Sequence, residues 1–244
     1  MPIIEKEFVE LTQGLDTTGF WAENAQCEKF TTRKPRCALT FSPDDHWIFG
    51  FESVPSTLRY YRDKAYRDAL HRQVNAVTAE HVGTTFFSED TWETEPKRIE
   101  NLFGCEFEYR EGGTPWLVPA TDDPAEFAAI LDEAERTDLG TWALPAGYRD
   151  EWATRASAGQ EMPALGTGSR GPATIMTSVI DPNDIFLWFY DHPDLMHRFT
   201  EILAAKMVDF NRILRSFSGN TEPGWWITDD NCALFSPGLY AEYC

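Results

Sequence analysis

Residues 163–176 read Pro-Ala-Leu-Gly-Thr-Gly-Ser-Arg-Gly-Pro-Ala-Thr-Ile-Met, and this stretch indicates the fold class. Its short apolar run at residues 164–167 is typical of a buried strand, and the glycines that follow predict a loop. Similar runs predict strands at residues 37–41, 84–87 and 225–228. Because long helical segments separate the four runs, each crossover returns the chain to the same edge of a sheet. This order predicts parallel strands and an α/β fold.

Three amphipathic helices are expected between the strands. The first begins near Ser56 and ends at Gly83. Its buried stripe has a spacing of three and four residues and consists of Tyr66, Leu70, Val74, Val77 and His81. Asp123 is expected to cap the second helix, and Asp191 to cap a third helix that Gly219 ends; both have a proline in the first turn.

Two shorter patterns complete the prediction of local structure. Residues 105–118 alternate apolar and polar side chains around a Glu-Gly-Gly turn, which predicts a hairpin inserted before the second helix. Ser236 is expected to cap a last helix, of which about two turns are present without a stop residue. We therefore expect that the chain is truncated at its C-terminal end.

Composition limits the classes of partner. The 244 residues include 21 basic and 40 acidic side chains, which gives a formal net charge of -19. Like charge repels nucleic-acid backbones and anionic membranes, so we expect neither as a partner. The 5 cysteines are odd in number and lack paired short spacing, which indicates reduced thiols in the cytoplasm. Because the sequence has no leader pattern and no apolar run of about 18 residues, we expect neither export nor a membrane span.

Several segments, in chain order, resemble the uroporphyrinogen decarboxylases and the related corrinoid-dependent methyltransferases. Residues 163–166 and 171–176 carry the most specific resemblance, to the family's Pro-Leu-Ile-Gly and Gly-Ala-Pro-Trp-Thr segments. The Phe-Phe-Ser-Glu of residues 86–89 resembles the family's Phe-Ser-Asp segment. The other similar segments are residues 99–104, 119–131, 192–195, 229–230 and 235–237, followed by Tyr240.

The resemblance implies a (β/α)8 barrel, or TIM barrel, of which this chain would hold about the first four β/α units. The hairpin near residues 105–118 would be an insertion in this barrel. Residues 1–34 would form an N-terminal helical extension, and residues 35–244 the partial barrel domain. Because such barrels collect their active-site groups where the strands end, we expect the reaction to take place at the C-terminal mouth.

The expected site is rich in acids from loops that follow predicted strands. Glu89 matches the family carboxylate that faces the pyrrole NH groups of the substrate, while Asp229 and Asp230 follow the fourth strand. We expect these three residues to be catalytic. The residues expected to bind substrate are Asp44, Asp45, His46, Asp90, Trp92, Arg170 and Ser178.

Each expected role has a structural alternative. Glu89 could be a solvated loop acid, and one of Asp229 and Asp230 could cap the last helix. Residues 44–46 could form a solvated turn, and Arg170 could take part in a structural ion pair. Trp92 could belong to the core rather than face a flat ligand.

Two departures from the family pattern affect the expected reaction. Where the decarboxylases carry an arginine-rich loop that binds substrate carboxylates, residues 44–46 read Asp-Asp-His, and Ser178 replaces a tyrosine of the family. A polycarboxylate would meet like charge at residues 44–46. Methyl transfer with a corrinoid partner is therefore favoured over decarboxylation of a tetrapyrrole acetate without a cofactor. A third hypothesis is a barrel that binds a small molecule without catalysis.

Cofactors and partners depend on which of these reactions applies. For methyl transfer the resemblance implies a methylcorrinoid protein as partner, and a zinc ion held by residues beyond Cys244. For decarboxylation it implies a tetrapyrrole substrate. Within residues 1–244 no cysteine has a histidine two residues away, so we expect neither a metal site nor another cofactor in this segment.

Overall fold

The computed structural model describes residues 10, 12–27, 43–52, 54–91, 97–160, 168–218 and 226–244. The chain divides into two compact units. Unit 1 consists of Met1–Glu93 and Tyr109–Thr114, and unit 2 consists of Thr94–Glu108 and Pro115–Cys244. The predicted strands at residues 37–41 and 164–167 lie outside the described residues.

The regular secondary structure in the described part of unit 1 is helical. Its helices are α1 (Thr17–Asn24), α2 (Asp45–Glu52), α3 (Thr57–Arg62) and α4 (Lys64–His81). The expected start at Ser56 is confirmed, since its hydroxyl accepts a hydrogen bond from the Arg59 amide. The single long helix expected from Ser56 is interrupted at Asp63, whose extended backbone ends α3 and whose carboxylate accepts from the Tyr66 amide to cap α4.

The core of unit 1 confirms part of the expected helical stripe. Leu70 and Val74 of α4 are buried with Ile48 of α2 and Tyr60 of α3. Tyr66 and Val77 pack against this cluster at its edge. Beyond α4, Gly83 has a φ of 77°, a left-handed conformation in which glycine ends a helix without strain.

The strand expected at residues 84–87 is wrong. This segment is irregular, because its backbone binds a side chain of α4 instead of a neighbouring strand. The amides of Phe86 and Phe87 both donate to Asn75 Oδ1, and Asn75 Nδ2 donates to the Phe87 carbonyl oxygen. The composition of the run did not indicate that a helix side chain would take the place of a neighbouring strand.

Unit 2 begins with a short helix and the expected hairpin. Helix α5 (Ile99–Leu102) leads into β1 (Glu106–Glu108), which pairs antiparallel with β2 (Trp116–Val118). The second expected helix is confirmed as α6 (Pro124–Arg136), with Asp123 as its cap. It is followed by α7 (Leu139–Trp142) and α8 (Tyr148–Ser157).

The second half of unit 2 contains a parallel strand pair. The elements are β3 (Gly168–Arg170), α9 (Pro172–Val179), α10 (Pro182–Asp191), α11 (Pro193–Ser218), β4 (Trp226–Thr228), a 3-10 helix (Asp230–Leu234) and α12 (Pro237–Tyr243). Gly168 pairs with Trp226, and Arg170 with Thr228, in parallel register. The strand expected at residues 225–228 is confirmed from Trp226 onward, as is Ser236 as the cap of α12.

The long helix α11 contributes much of the core of unit 2. The ring of Phe199 lies 5.0 Å from the rings of both Phe103 and Phe127, measured between centroids. The expected cap at Asp191 is wrong, because Asp191 is the last residue of α10. The His192 carbonyl oxygen, not Asp191, receives the first helical hydrogen bond, from Met196.

The described chain is therefore a helix-rich α/β structure, which confirms the fold class at this level. Its described strands form two two-stranded sheets, one antiparallel and one parallel. The closed barrel stays a prediction. In the described part of the chain, no helix is both long enough and apolar enough to cross a bilayer.

Candidate functional site

In unit 1, a row of polar side chains on α4 holds the loop that carries Glu89. This row, the polar stripe of α4, consists of Lys64, Asp68, His71 and Asn75, spaced by four, three and four residues. Such spacing places all four on one face of the helix. Asp68, His71 and Asn75 are buried, which is unusual for polar side chains unless they are hydrogen-bonded.

Asn75 makes the largest number of contacts with the loop. Its Oδ1 accepts from the amides of Phe86 and Phe87, both at 3.1 Å. Its Nδ2 donates to the Phe87 carbonyl oxygen at 2.8 Å and to Glu89 Oε1 at 3.0 Å. Both lone pairs and both protons of the carboxamide are thus used, which accounts for its burial at 2% exposure.

His71 contacts the next loop residue. Its Nδ1 lies against the Ser88 carbonyl oxygen, which can only accept, so Nδ1 carries a hydrogen. Its Nε2 lies 2.9 Å from the Tyr60 hydroxyl, which donates to Asp45 Oδ1 at 2.8 Å. Burial lowers the pKa of His71, although the Ser88 carbonyl and Asp45 oppose this. Burial, and then Asp45, raise the pKa of Tyr60.

Asp68 and Lys64 bind the end of the loop. Asp68 Oδ1 accepts from the amide and the hydroxyl of Thr91, at 3.1 and 2.6 Å. Lys64 forms ion pairs with Asp68 and with Asp90, the latter at 2.9 Å. Burial alone would raise the pKa of Asp68, but hydrogen bonds from Lys64 and Thr91 lower it overall. The loop is therefore held at residues 86, 87, 88, 89, 90 and 91 by one face of one helix.

The expected site residues of unit 1 occupy different environments. Glu89 is exposed, with one oxygen bound to Asn75, whereas Asp90 is paired with Lys64. Asp45 Oδ1 accepts a hydrogen bond from the Tyr60 hydroxyl. The other two residues of the expected turn, Asp44 and His46, are exposed and 3.8 Å apart. Trp92 lies outside the described residues.

In unit 2, Asp229 binds the first turn of α9. Its Oδ1 accepts from the Thr174 amide at 2.8 Å, which satisfies one of the amides that a helix leaves unpaired at its N-terminus. Its Oδ2 accepts from the Tyr240 hydroxyl at 3.0 Å. That hydrogen bond is the main cause that raises the pKa of Tyr240 to about 12. Asp229 thus connects β4 to α9 and α12.

Of the two residues after Asp229, Asn231 is bound to α9 and Asp230 is exposed. Asn231 is anchored to α9, since its amide donates to Thr174 Oγ1 and its Nδ2 donates to Thr177 Oγ1 at 2.7 Å. Asp230, the first residue of the 3-10 helix, is exposed. Of the two adjacent acids, Asp230 is therefore the one that presents its side chain to solvent.

Arg170 lies at the end of β3 and bonds to groups of its own unit. Its Nη1 lies 3.2 Å from Glu100 Oε1 and 2.9 Å from Ser178 Oγ. Glu100 is 1% exposed, so Arg170 compensates a buried charge. Ser178 also binds the Thr174 carbonyl oxygen, which fixes its hydroxyl. The structural ion pair considered for Arg170 is therefore present.

Cys105 lies beside Ser178, and its thiol is not ionised. Its thiol contacts the Ser178 carbonyl oxygen, at 3.4 Å from the sulfur. Burial raises the pKa of Cys105 to about 12, with Glu100 as a lesser cause. The thiol is therefore protonated near neutral pH and is a poor nucleophile.

Asn75, His71, Asp68 and Glu100 were not among the predicted site residues. For the first three, a signal was present: polar residues recur at helical spacing next to the apolar residues Leu70 and Val74. Polar residues beside a buried stripe are usually solvated, so this spacing alone does not predict a binding face. Glu100 carried no such signal, because its burial depends on Arg170, 70 residues away.

Comparison with known families gives one match. A family model described as "Uroporphyrinogen decarboxylase (URO-D)" matches residues 98–244, more than half of the chain. The chain belongs to the uroporphyrinogen decarboxylase family. This confirms the resemblance found in the sequence segments. No curated protein and no solved structure matches the chain.

The match to the uroporphyrinogen decarboxylase family covers only part of the expected site. Asp229, Asp230, Arg170 and Ser178 lie within residues 98–244. Glu89 and the rest of the loop held by α4 lie before them. Membership of the uroporphyrinogen decarboxylase family supports an enzymatic role, and it is compatible with both decarboxylation and methyl transfer.

Proposed function

We propose that this chain belongs to an enzyme that decarboxylates an acetate side chain of a tetrapyrrole without a cofactor. The fixed carboxylate of Glu89 carries the proposal. Its loop is bound to the polar stripe of α4, and Glu89 Oε1 accepts a hydrogen bond from Asn75 while the side chain is exposed. The family match at residues 98–244 supports an enzyme of the uroporphyrinogen decarboxylase family.

The proposed reaction needs an anion beside a cation that forms transiently. A carbon of the pyrrole ring takes up a proton, and the bond between the acetate methylene and its carboxylate then breaks to release carbon dioxide. The bonding electrons neutralise the ring. A second proton converts the methylene to a methyl group, and the first proton leaves the ring. In total one proton is consumed for each carbon dioxide released.

Glu89 is proposed to stabilise the ring cation in this sequence without transferring a proton. Its carboxylate would accept hydrogen bonds from the ring NH groups and contribute negative charge. Such stabilisation is most effective when the charged group is held in place before the substrate binds, because no reorganisation then accompanies the reaction. The contacts of residues 86–91 with α4 supply this restraint.

The test is turnover of uroporphyrinogen under reducing conditions, followed by chromatography of the porphyrin products. We expect Glu89→Gln, which keeps the shape and removes the charge, to lower kcat about 100-fold. Glu80→Gln, the same change at an exposed position of α4, is the matched control and should retain activity. Absence of turnover in the unaltered protein, or equal activity of both variants, contradicts the proposal.

A second candidate is methyl transfer from a methylcorrinoid protein, which the charges at the expected binding residues favour. Arg170 is already paired with Glu100. The acids at positions 44 and 45 would repel substrate carboxylates. Among the described residues, no three His, Cys, Asp or Glu side chains form a group that could hold a metal ion. The described residues thus offer no ligand set for zinc, and no step through zinc is proposed.

The two reactions separate in a paired assay. A methyltransferase would consume methylcobalamin when a thiol acceptor is present and leave uroporphyrinogen unchanged. A decarboxylase would do the reverse. Binding of either compound without turnover, in the unaltered protein and in Glu89→Gln alike, would instead favour a protein that binds small molecules without catalysis.

A further inference from the structure

We propose that Asn75 is a positioning residue for Glu89: its carboxamide fixes both the loop backbone and the carboxylate in the orientation used for substrate. This inference rests on the proposed function of Glu89. Asn75 itself is buried in α4 and is not proposed to touch the substrate. Its effect on the reaction would pass through Glu89 alone.

The carboxamide is suited to this role because it donates and accepts at the same time. The oxygen holds the amides of Phe86 and Phe87, which sets the path of the backbone just before Glu89. The nitrogen holds the Phe87 carbonyl oxygen with one proton and Glu89 Oε1 with the other. One rigid planar group therefore relates the carboxylate of Glu89 to the backbone two and three residues earlier.

A carboxylate at position 75 would reproduce only half of this arrangement. The change Asn75→Asp keeps the shape and the acceptor for the two amides. It replaces both donors by an acceptor, so that the Phe87 carbonyl oxygen loses its partner and Glu89 meets like charge. We expect Glu89 to turn away while the α4 helix persists, since the buried apolar neighbours Leu70 and Val74 are unchanged.

The kinetic test compares Asn75→Asp with Gln73→Glu, which makes the matched amide-to-acid change at an exposed position of the same helix. We expect Asn75→Asp to lower kcat for uroporphyrinogen about tenfold, as for a lost charged hydrogen bond, with KM changed less than kcat. Gln73→Glu should leave both constants unchanged. Equal kcat values for the two variants would overturn the proposal.

A second test detects the contact without any turnover. In the double variant Asn75→Asp with Glu89→Gln, the new amide at position 89 can donate to the new acid at position 75, which restores the hydrogen bond with reversed polarity. We expect the double variant to regain about tenfold in the folding equilibrium constant over Asn75→Asp, measured by urea unfolding. Strict additivity of the two single changes would overturn the proposal.

These tests separate failure of the positioning role from failure of the proposed reaction. If the unaltered protein does not turn over uroporphyrinogen, the proposed function fails, and the double variant still decides whether Asn75 holds Glu89. If Asn75→Asp does not fold, the single variant Glu89→Gln decides by NMR. It should shift the side-chain amide signals of Asn75, and unchanged signals would overturn the contact.

Discussion

Asp229 lies so close to Gly171 that a Cβ atom added at residue 171 would be 2.3 Å from the Asp229 Cβ and Cγ atoms. Real Cβ atoms do not approach other heavy atoms so closely. Gly171 has an extended backbone, with φ of -77°, so the requirement for glycine is steric rather than conformational. The approach is what allows the Asp229 carboxylate to reach the Thr174 amide.

We expect Gly171→Ala to destabilise the protein by about 2 kcal/mol, as for overpacking of a filled site, because Asp229 must move and α9 then loses its cap. Urea unfolding measures the change. Gly113→Ala is the control, since an added Cβ at residue 113 meets no atom within 4 Å. Equal stability of the two variants would show that Asp229 is not held at α9.

The pKa of Tyr240 should depend on its hydrogen bond to Asp229. We expect Asp229→Asn to lower this pKa from about 12 toward the ordinary value, because the hydrogen bond to the carboxylate is its main cause. Spectrophotometric titration of tyrosine measures the shift, and Tyr240→Phe identifies the signal. Asp230→Asn removes the neighbouring acid and should leave the titration unchanged. A Tyr240 pKa that is insensitive to Asp229→Asn contradicts the contact.

The ion pair between Arg170 and Glu100 should contribute to stability. We expect Arg170→Met to destabilise the protein by about 3 kcal/mol, because it leaves the buried carboxylate of Glu100 without its cation. Arg136→Met removes the exposed partner of Glu133 and should cost less than about 1 kcal/mol. Chemical unfolding compares the two. A small loss of stability in both variants would contradict a structural role for Arg170.

His71 should make stability depend on pH. Its pKa is lowered in the folded protein because burial disfavours the charged ring, so between that value and about 6.5 the unfolded chain binds more protons than the folded one. Stability is then complete above about pH 6.5 and declines as the pH falls below it. Urea unfolding from pH 5 to 8 should show this slope, and His71→Gln should reduce it. A slope that survives the change belongs to another group.

Local patterns in the sequence predicted the helices well where caps and apolar spacing agree. Asp123, Ser56 and Ser236 begin helices as expected, because each places an oxygen beside an unpaired amide of the first turn. The break at Asp63 was not predicted, because the apolar stripe begins only at Tyr66 and gives no information on the residues before it. The spacing of apolar residues predicts which face of a helix is buried. The position of a capping residue such as Asp63 predicts where a helix begins.

Long-range polar contacts could not be predicted from the same patterns. The segment at residues 84–87 has the composition of a strand, but Asn75 supplies its hydrogen bonds from a helix. Glu89, Asp229 and Arg170 were selected because they follow apolar runs. Their different partners, namely Asn75, Thr174 and Glu100, follow from tertiary packing that spacing alone does not encode.

The polar stripe of α4 has a consequence for how this loop can diversify. Most of its contacts are with main-chain atoms at positions 86, 87, 88 and 91, which are present whatever the side chains are. Exchanging residues at positions 86 to 90 would therefore alter the chemistry displayed at the surface while the supporting contacts remain. The loop can therefore change its side chains, and with them its specificity, while α4 keeps the loop backbone in place.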